Sequence, residues 1–413
     1  MTSALVRSSP PGSSRASGPA VVLRAVLDHG PVARSTIARR TGLSPAAVTR
    51  HSADLAAFGL IRELPAAPAT PLAKKRMGRP HTPLDIELDR HVAAGLHIAA
   101  THSTLAVMDM RGHVLAQERL PHQATDPVSV LSTAADRLPD FATAHAGGRA
   151  LLGVGVAVGG WVDPEHGVIV EHEPLRWRDV ALRDLVAGHT GLPVHVDSHA
   201  RALVRAEQLF GGVGEADSVV HLFVGNVVDA AIVTGDTVHH GPRSAAGDIA
   251  HQPLGDPTVR CPCGRSGCLQ ATVSDRAIVD KAMAERIITV PALPALIDAA
   301  QRGDPAARRL FHDRAASLGG AVALLLDVLN PEVLVVTEAG LIYLPDCLDV
   351  LHAQVRRRSH VCADPVRQVR TPSFTPDDLL AVAAGTVLLD VVYTNPAVTE
   401  NLAGRHFPVR GLT

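Results

Sequence analysis

One imidazole and three thiols fall within eighteen residues of this 413-residue chain, in the pattern His251-x9-Cys261-x-Cys263-x4-Cys268. One nitrogen and three sulfurs are the donor set of a closed tetrahedral zinc site, which is structural because no position is left for an activated water. Gly264 and Gly267, in CPCGRSGCLQ, let the backbone turn sharply enough for the sulfurs to converge. The pattern predicts a structural Zn2+ on His251, Cys261, Cys263 and Cys268; the alternative is a group of unligated cysteines. Cys347 and Cys362 stand alone and read as buried apolar residues. Five cysteines in so long a chain do not make a disulfide framework.

The length exceeds one ordinary core, so two or three domains are expected. No run of about eighteen uncharged apolar residues occurs, and Met1–Ala20 carries Ser, Pro, Gly and Arg in place of an apolar signal core. A cytoplasmic protein with no membrane partner is expected. The formal net charge of −2 hides an asymmetry: up to Pro83 twelve Lys/Arg face three Asp/Glu, and beyond it 27 face 38. A basic head on an acidic body points to a polyanionic partner for the head. A basic disordered tail would account only for Arg7 and Arg15.

Residues 1–18 read as a disordered arm, rich in Ser, Pro and Gly with little to bury. From Pro19 to about Gly59 the apolar spacing is helical, broken at His29-Gly30-Pro31 and at Thr41-Gly42-Leu43-Ser44, which predicts three short helices. Ser44 is the N-cap of the third, with Pro45 at its first position. Val48, Leu55 and Phe58 then follow its apolar face and turn Ala46, Thr49 and Arg50 outward, the arrangement by which a recognition helix reaches base edges in the major groove. Leu60-Ile61-Arg62-Glu63 reads as a strand, and Lys74, Lys75, Arg76 and Arg79 crowd a Gly/Pro-rich loop where a wing that neutralises phosphates would sit. The expectation is a winged helix-turn-helix over 19–84 that contacts double-stranded DNA through Ser44, Ala46, Thr49, Arg50 and the four wing cations; a solvated helical hairpin with a basic linker is the alternative. From Val92 onward, strand-like segments such as ALLGVGVAV, SVVHLFVG and EVLVVT alternate with helical ones, which predicts an α/β body with mixed sheets.

The run GPRSAAGDIAHQPLGDPTVRCPCGRSGCLQATVS resembles the signature of the ROK family, which groups sugar-responsive repressors with bacterial sugar kinases. The segments GVGVAVGGWVDPEHGVI, VDSHARALVRAEQLFG and LNPEVLVVTEAG are similar to its sugar-lining strand, its catalytic-carboxylate segment and its nucleotide-side strand. The resemblance implies a two-lobed actin-like or hexokinase-like (RNase H-like) ROK domain behind the winged head. Lobe 1 is expected over 85–197 with residues 388–413 returning to it, and lobe 2 with the zinc site over 198–387.

Where that family has roughly Asp-x-Gly-Gly-Thr in its first phosphate loop, this chain has His97-Ile98-Ala99-Ala100-Thr101, and His199 stands at the catalytic aspartate's place. Asp229 puts a negative charge in the second phosphate loop. Phosphoryl transfer needs a base, a magnesium ion and close backbone donors, so no enzymatic activity is expected, a ROK-type sugar kinase being the alternative. The resemblance places an effector among Gly159, Gly160, Ser198, His199, Asp248, His251 and Gln270. Of the family's five polar sugar contacts only the histidine is kept, and with His240 and Arg243 nearby an anionic or otherwise atypical sugar derivative is expected, against a drifted, ligand-free pocket. His251 is expected to give one ring nitrogen to zinc and turn the other to the cleft. A repressor of this kind is expected as a homodimer or homotetramer on a palindromic operator.

Overall fold

The computed structural model describes residues 17–65, 82–214 and 216–402. The chain begins with three helices, α1 (Gly18–His29), α2 (Arg34–Thr41) and α3 (Pro45–Ala57), followed by β1 (Ile61–Glu63). The Ser17 side chain caps α1, and the Ser44 Oγ accepts the Ala47 N–H at 3.2 Å to cap α3. Gly42, at φ 71°, closes α2 in the left-handed conformation that a residue with a Cβ adopts at a cost. Val22, Leu23, Ile37, Val48 and Leu55 are fully buried between these helices, each worth roughly 1.5–3 kcal/mol. Strand β2 (Leu84–Ile86) pairs antiparallel with β1, so the wing's return strand runs past the boundary at 84. The expected wing cations Lys74, Lys75, Arg76 and Arg79, and residues 1–16 of the expected arm, lie outside the described residues.

The first lobe is built on a five-stranded sheet of β3 (His91–Ile98), β4 (His102–Met108), β5 (Val114–Pro121), β6 (Ala150–Val158) and β10 (Val194–Ser198), in the order β10-β6-β3-β4-β5. Its parallel strands β10, β6 and β3 are flanked by antiparallel β4 and β5. A side sheet of β7 (Trp161–Asp163), β8 (Val168–His172) and β9 (Trp177–Val180) projects from it toward the second lobe. Helices α4 (Pro127–His145) and α5 (Leu182–Thr190) pack together beside the sheet.

Helix α6 (His199–Leu209) leads to the second sheet, β13-β12-β11-β14-β15, made of β11 (Ser218–Val224), β12 (Val228–Thr234), β13 (Thr237–Val238), β14 (Val333–Glu338) and β15 (Val369–Arg370). Between β13 and β14 run α7 (Leu269–Val273), α8 (Asp275–Ala284), α9 (Leu293–Gln301) and α10 (Pro305–Leu329). Asp304 caps α10 through the Ala306 and Ala307 N–H groups, and Asn330 ends it at φ 44°. Helices α11 (Ala339–Tyr343), α12 (Pro345–Arg358) and α13 (Pro365–Gln368) complete this lobe, and α14 (Leu379–Thr394) returns to the first. The return begins at Leu379, ahead of the expected 388, because Ala384 and Gly385 already sit on the sheet. A Cβ on Gly155 of β6 would collide with the Ala384 carbonyl oxygen. Among the described residues no helix is long and apolar enough to cross a membrane.

The head does not float. Its apolar residues share one cluster with Met108, Met110, Leu209, Leu388, Leu389 and Val392 of the body. Arg24 of α1 donates to the Gln208 carbonyl at the end of α6, 2.6 Å away, and Arg111 pairs with Asp85.

Candidate functional site

The capped N-terminus of α3 leaves Ser44, Ala46, Thr49 and Arg50 exposed. The Thr49 hydroxyl donates to the Pro45 carbonyl at 2.9 Å, which keeps its lone pairs turned outward as acceptors. Arg39 and Arg40, in the last turn of α2, are also exposed and add charge to the same head. They were not singled out in the sequence, where only the recognition helix and the wing carried a geometric reason for contact.

The four zinc-pattern residues converge. Their ligand atoms all lie within 4.8 Å of one another, with His251 Nδ1 3.6 Å from Cys261 Sγ and Cys263 Sγ 3.6 Å from Cys268 Sγ. Bonds of about 2.3 Å in a tetrahedron put sulfurs about 3.8 Å apart, so these distances fit a four-coordinate ion without rebuilding the loop. Gly264 (φ 89°) and Gly267 (φ 76°) make the two turns. The Cys261 N–H donates to the Arg265 carbonyl at 2.8 Å, closing the knuckle. Helix α7 starts directly after Cys268, and the Gln270 N–H donates to the Ala250 carbonyl at 2.9 Å. The knuckle thereby fixes His251 and Gln270 on one wall of the cleft between the lobes.

That cleft encloses about 130 Å3. Gly160, Ser198, Asp248, His251 and Gln270 line it. Gly159 and His199 do not: the imidazole lies behind Gly159, where a Cβ would come within 2.9 Å of it. Among the further lining residues that escaped the sequence reading are Trp161, Glu171, Glu173 and Arg201. The first three come from the side sheet, Glu173 from the turn between β8 and β9, and the short strands give no clear alternation. Arg201, in the first turn of α6, folds back on Asp197 at the end of β10, with its Nε 2.6 Å from Asp197 Oδ1.

Side chains from both lobes tie the cleft's rim. Arg201 Nη1 donates to the Ser244 carbonyl and Nη2 to the Val162 carbonyl. Trp161 Nε1 donates to the Arg243 carbonyl at 2.7 Å, with the Arg243 guanidinium 4.9 Å above the indole ring. Gln270 Nε2 reaches Glu173 at 3.4 Å. Of His240 and Arg243, both expected to add positive character to the pocket, His240 is placed elsewhere and Arg243 sits at the rim. His240 lines a separate cavity beside α6 and α14, and Arg243 lies over the indole.

Below the cleft, where the resemblance put phosphate and catalytic carboxylate, aromatic rings fill the space. His97 and His199 stack with centroids 5.8 Å apart and planes 6° from parallel, and Phe223 lies 3.8 Å from His199. His199 Nε2 is 3.2 Å from Asp229 Oδ1. Burial holds the His97 ring well below the usual histidine range, and it pushes His172 down to about 4 and His221 to about 3. At the end of β14, buried Arg314 spans Glu338 (3.0 Å) and Asp275 (2.7 Å).

The pattern of the ROK family matches residues 93–374. A transcriptional regulator of Mycobacterium tuberculosis (strain H37Rv) is 32% identical over 394 residues, covering 92% of this chain and 86% of its own length. Among solved structures, a ROK family transcriptional regulator described as a homologue of the Escherichia coli Mlc protein superposes with a TM-score of 0.74. It shares 22% identity and covers 92% of this chain and 98% of its own. A ROK hexokinase from Thermus thermophilus superposes with a TM-score of 0.57 at 26% identity, covering 73% of this chain and 99% of its own. Regulator and kinase share the two-lobed body, and the regulator's match extends over more of this chain. With the cysteine knuckle, the two sheets and a match over most of its length in agreement, the chain belongs to the ROK family.

Proposed function

We propose that this protein is a DNA-binding transcriptional repressor whose kinase-like body senses a small molecule and catalyses no phosphoryl transfer. The observation that carries the reading is α6. Ser198 and Arg201, at its beginning, line the cleft, and the Gln208 carbonyl, near its end, holds Arg24 of the DNA-binding head. One rigid helix of eleven residues thus has the ligand site at one end and the head at the other. A ligand that alters the hold of Arg201 on Ser244 and Val162 moves α6, and with it the angle of the head, shifting the population that fits DNA.

The recognition surface is Ser44, Ala46, Thr49 and Arg50, supported by the wing cations Lys74, Lys75, Arg76 and Arg79. Two such heads on a homodimer, or two pairs on a homotetramer, read a palindromic operator. His251, Cys261, Cys263 and Cys268 hold a structural Zn2+, which supplies rigidity and no chemistry because all four positions are taken by protein. Against a kinase stand the buried His97–His199–Phe223 packing and the Arg314–Glu338–Asp275 network. These fill the floor with aromatic rings and an internal ion pair where transfer needs a catalytic base and open backbone donors.

Fluorescence anisotropy on DNA from the chain's own promoter tests the reading. Sequence-specific binding is expected, falling at least about tenfold when Thr49 and Arg50 are both changed to Ala, since a base contact is worth roughly 1–3 kcal/mol. Equal affinity for random DNA would overturn the repressor reading, and sugar-dependent ATP turnover above background would overturn the non-enzyme reading.

A further inference from the structure

The charges lining the cleft do not balance. Each guanidinium at its rim is already engaged. Each of the three nitrogens of Arg201 makes a bond, to Asp197, Ser244 and Val162, Arg243 lies on the face of Trp161, and Arg178 pairs with Glu171. Three carboxylates in the lining have no Lys or Arg partner among the described residues. Glu173 meets only the Gln270 amide at 3.4 Å, and Asp248 is exposed with no partner among the described residues. Asp229 Oδ1 is 3.2 Å from His199 Nε2, while its Oδ2 is buried with no partner among the described residues. A buried carboxylate oxygen left without a donor is among the costlier defects a fold tolerates, and it marks a place where a donor is wanted.

We infer that the cleft selects a cationic ligand: a monosaccharide-sized polyol bearing a protonated amine, which rests on the reading of this cleft as the effector site. A phosphate or carboxylate entering here meets three like charges and finds no free guanidinium. A neutral sugar meets acceptors for its hydroxyls and leaves the charge uncompensated. An ammonium group supplies three donors, offsets one of the carboxylate charges and competes with Arg243 for the electron-rich face of Trp161. Displacing Arg243 frees the loop that carries Ser244, the partner of Arg201, so binding loosens the same ties through which α6 is held. The lining charge thus replaces the expectation of an anionic effector that His240 and Arg243 had supported.

The test is calorimetry on the full-length, zinc-loaded chain with matched probes: glucose, galactose and mannose, their 2-amino counterparts, and the 6-phosphates of the neutral sugars, at a pH where the amine is protonated. At least one amino sugar is expected to bind, with each amino form about tenfold or more tighter than its neutral partner, and the phosphates are expected not to bind. The combined change Glu173→Gln and Asp248→Asn is expected to cut the amine preference at least fivefold, with an unchanged melting temperature showing that the fold survives. Binding by no amino sugar, or a neutral or phosphorylated sugar equal to or tighter than its amino partner, overturns the inference. Anisotropy on promoter DNA with the same preparations keeps the two claims apart. Intact DNA binding with failed calorimetry sinks only the ligand class, whereas lost DNA binding with amine binding intact sinks only the repressor reading.

Discussion

The two ends of the interlobe cleft have been built to different standards. At the knuckle end, four ligand atoms converge within 4.8 Å, two glycines make the turns, and the wall that carries His251 and Gln270 is fixed to them. At the floor, His97 keeps both ring nitrogens without a partner among the described residues. A protein that only senses a ligand needs the first end and not the second. On the proposed reading, shape and position are retained where a molecule must be held, and polar satisfaction is given up where bonds would have to be made and broken.

Breaking the knuckle gives the largest effect expected. Cys268 is buried, and Cys268→Ser is expected to drop bound zinc below half an equivalent per chain and to cost on the order of 5 kcal/mol, read by metal analysis and urea unfolding. A full equivalent of zinc in that variant, or unchanged stability, would show that Cys268 does not hold a structural metal.

Rebuilding the floor is expected to fail. His199→Asp restores the carboxylate that the resemblance calls for, yet it buries a second negative charge beside Asp229 and removes the stack on His97. A loss of about 3 kcal/mol and no ATP turnover are expected, read by thermal melts and a coupled assay. Turnover in this single variant would mean that the phosphate end is intact after all.

Acid sharpens the contrast at smaller amplitude. Folded, burial holds His172 at about 4 and His221 at about 3; unfolded, each titrates near the ordinary 6.5. The unfolded chain therefore binds more protons between these values. Stability is complete above pH ~6.5 and lost as pH falls toward the folded values. At pH 5 each ring costs about 2 kcal/mol, so His172→Asn with His221→Asn is expected to flatten the melting-temperature profile between pH 7 and 5. An unchanged slope would place the acid sensitivity elsewhere.

The knuckle and the head were legible because their signals are local. Cysteine spacing, a Ser-Pro cap and a glycine stop are fixed by short-range geometry, and ALLGVGVAV and EVLVVT declared buried strands by their apolar runs. What stayed hidden depends on distant partners. Glu173 acquires its role only because Gln270, 97 residues away, stands opposite it. Arg201 looks like an ordinary helix residue until the Ser244 and Val162 carbonyls close around it. The boundary at 388 missed because α14 docks through small residues, and Ala384 and Gly385 carry no charge or periodicity to announce the contact. His199 was placed in the pocket because its sequence position is that of a cleft residue, whereas its ring turns away behind Gly159 to meet His97 and Phe223.

The central claim is that sensing has been kept, chemistry lost, and the result delivered to DNA through the head. Genome-wide mapping of bound sites, in cells carrying either the native protein or the Thr49→Ala, Arg50→Ala variant, tests it most directly. The account predicts discrete sites that share a palindromic sequence and vanish in the variant. Occupancy indistinguishable between the two, or no enrichment over bulk DNA, would contradict it.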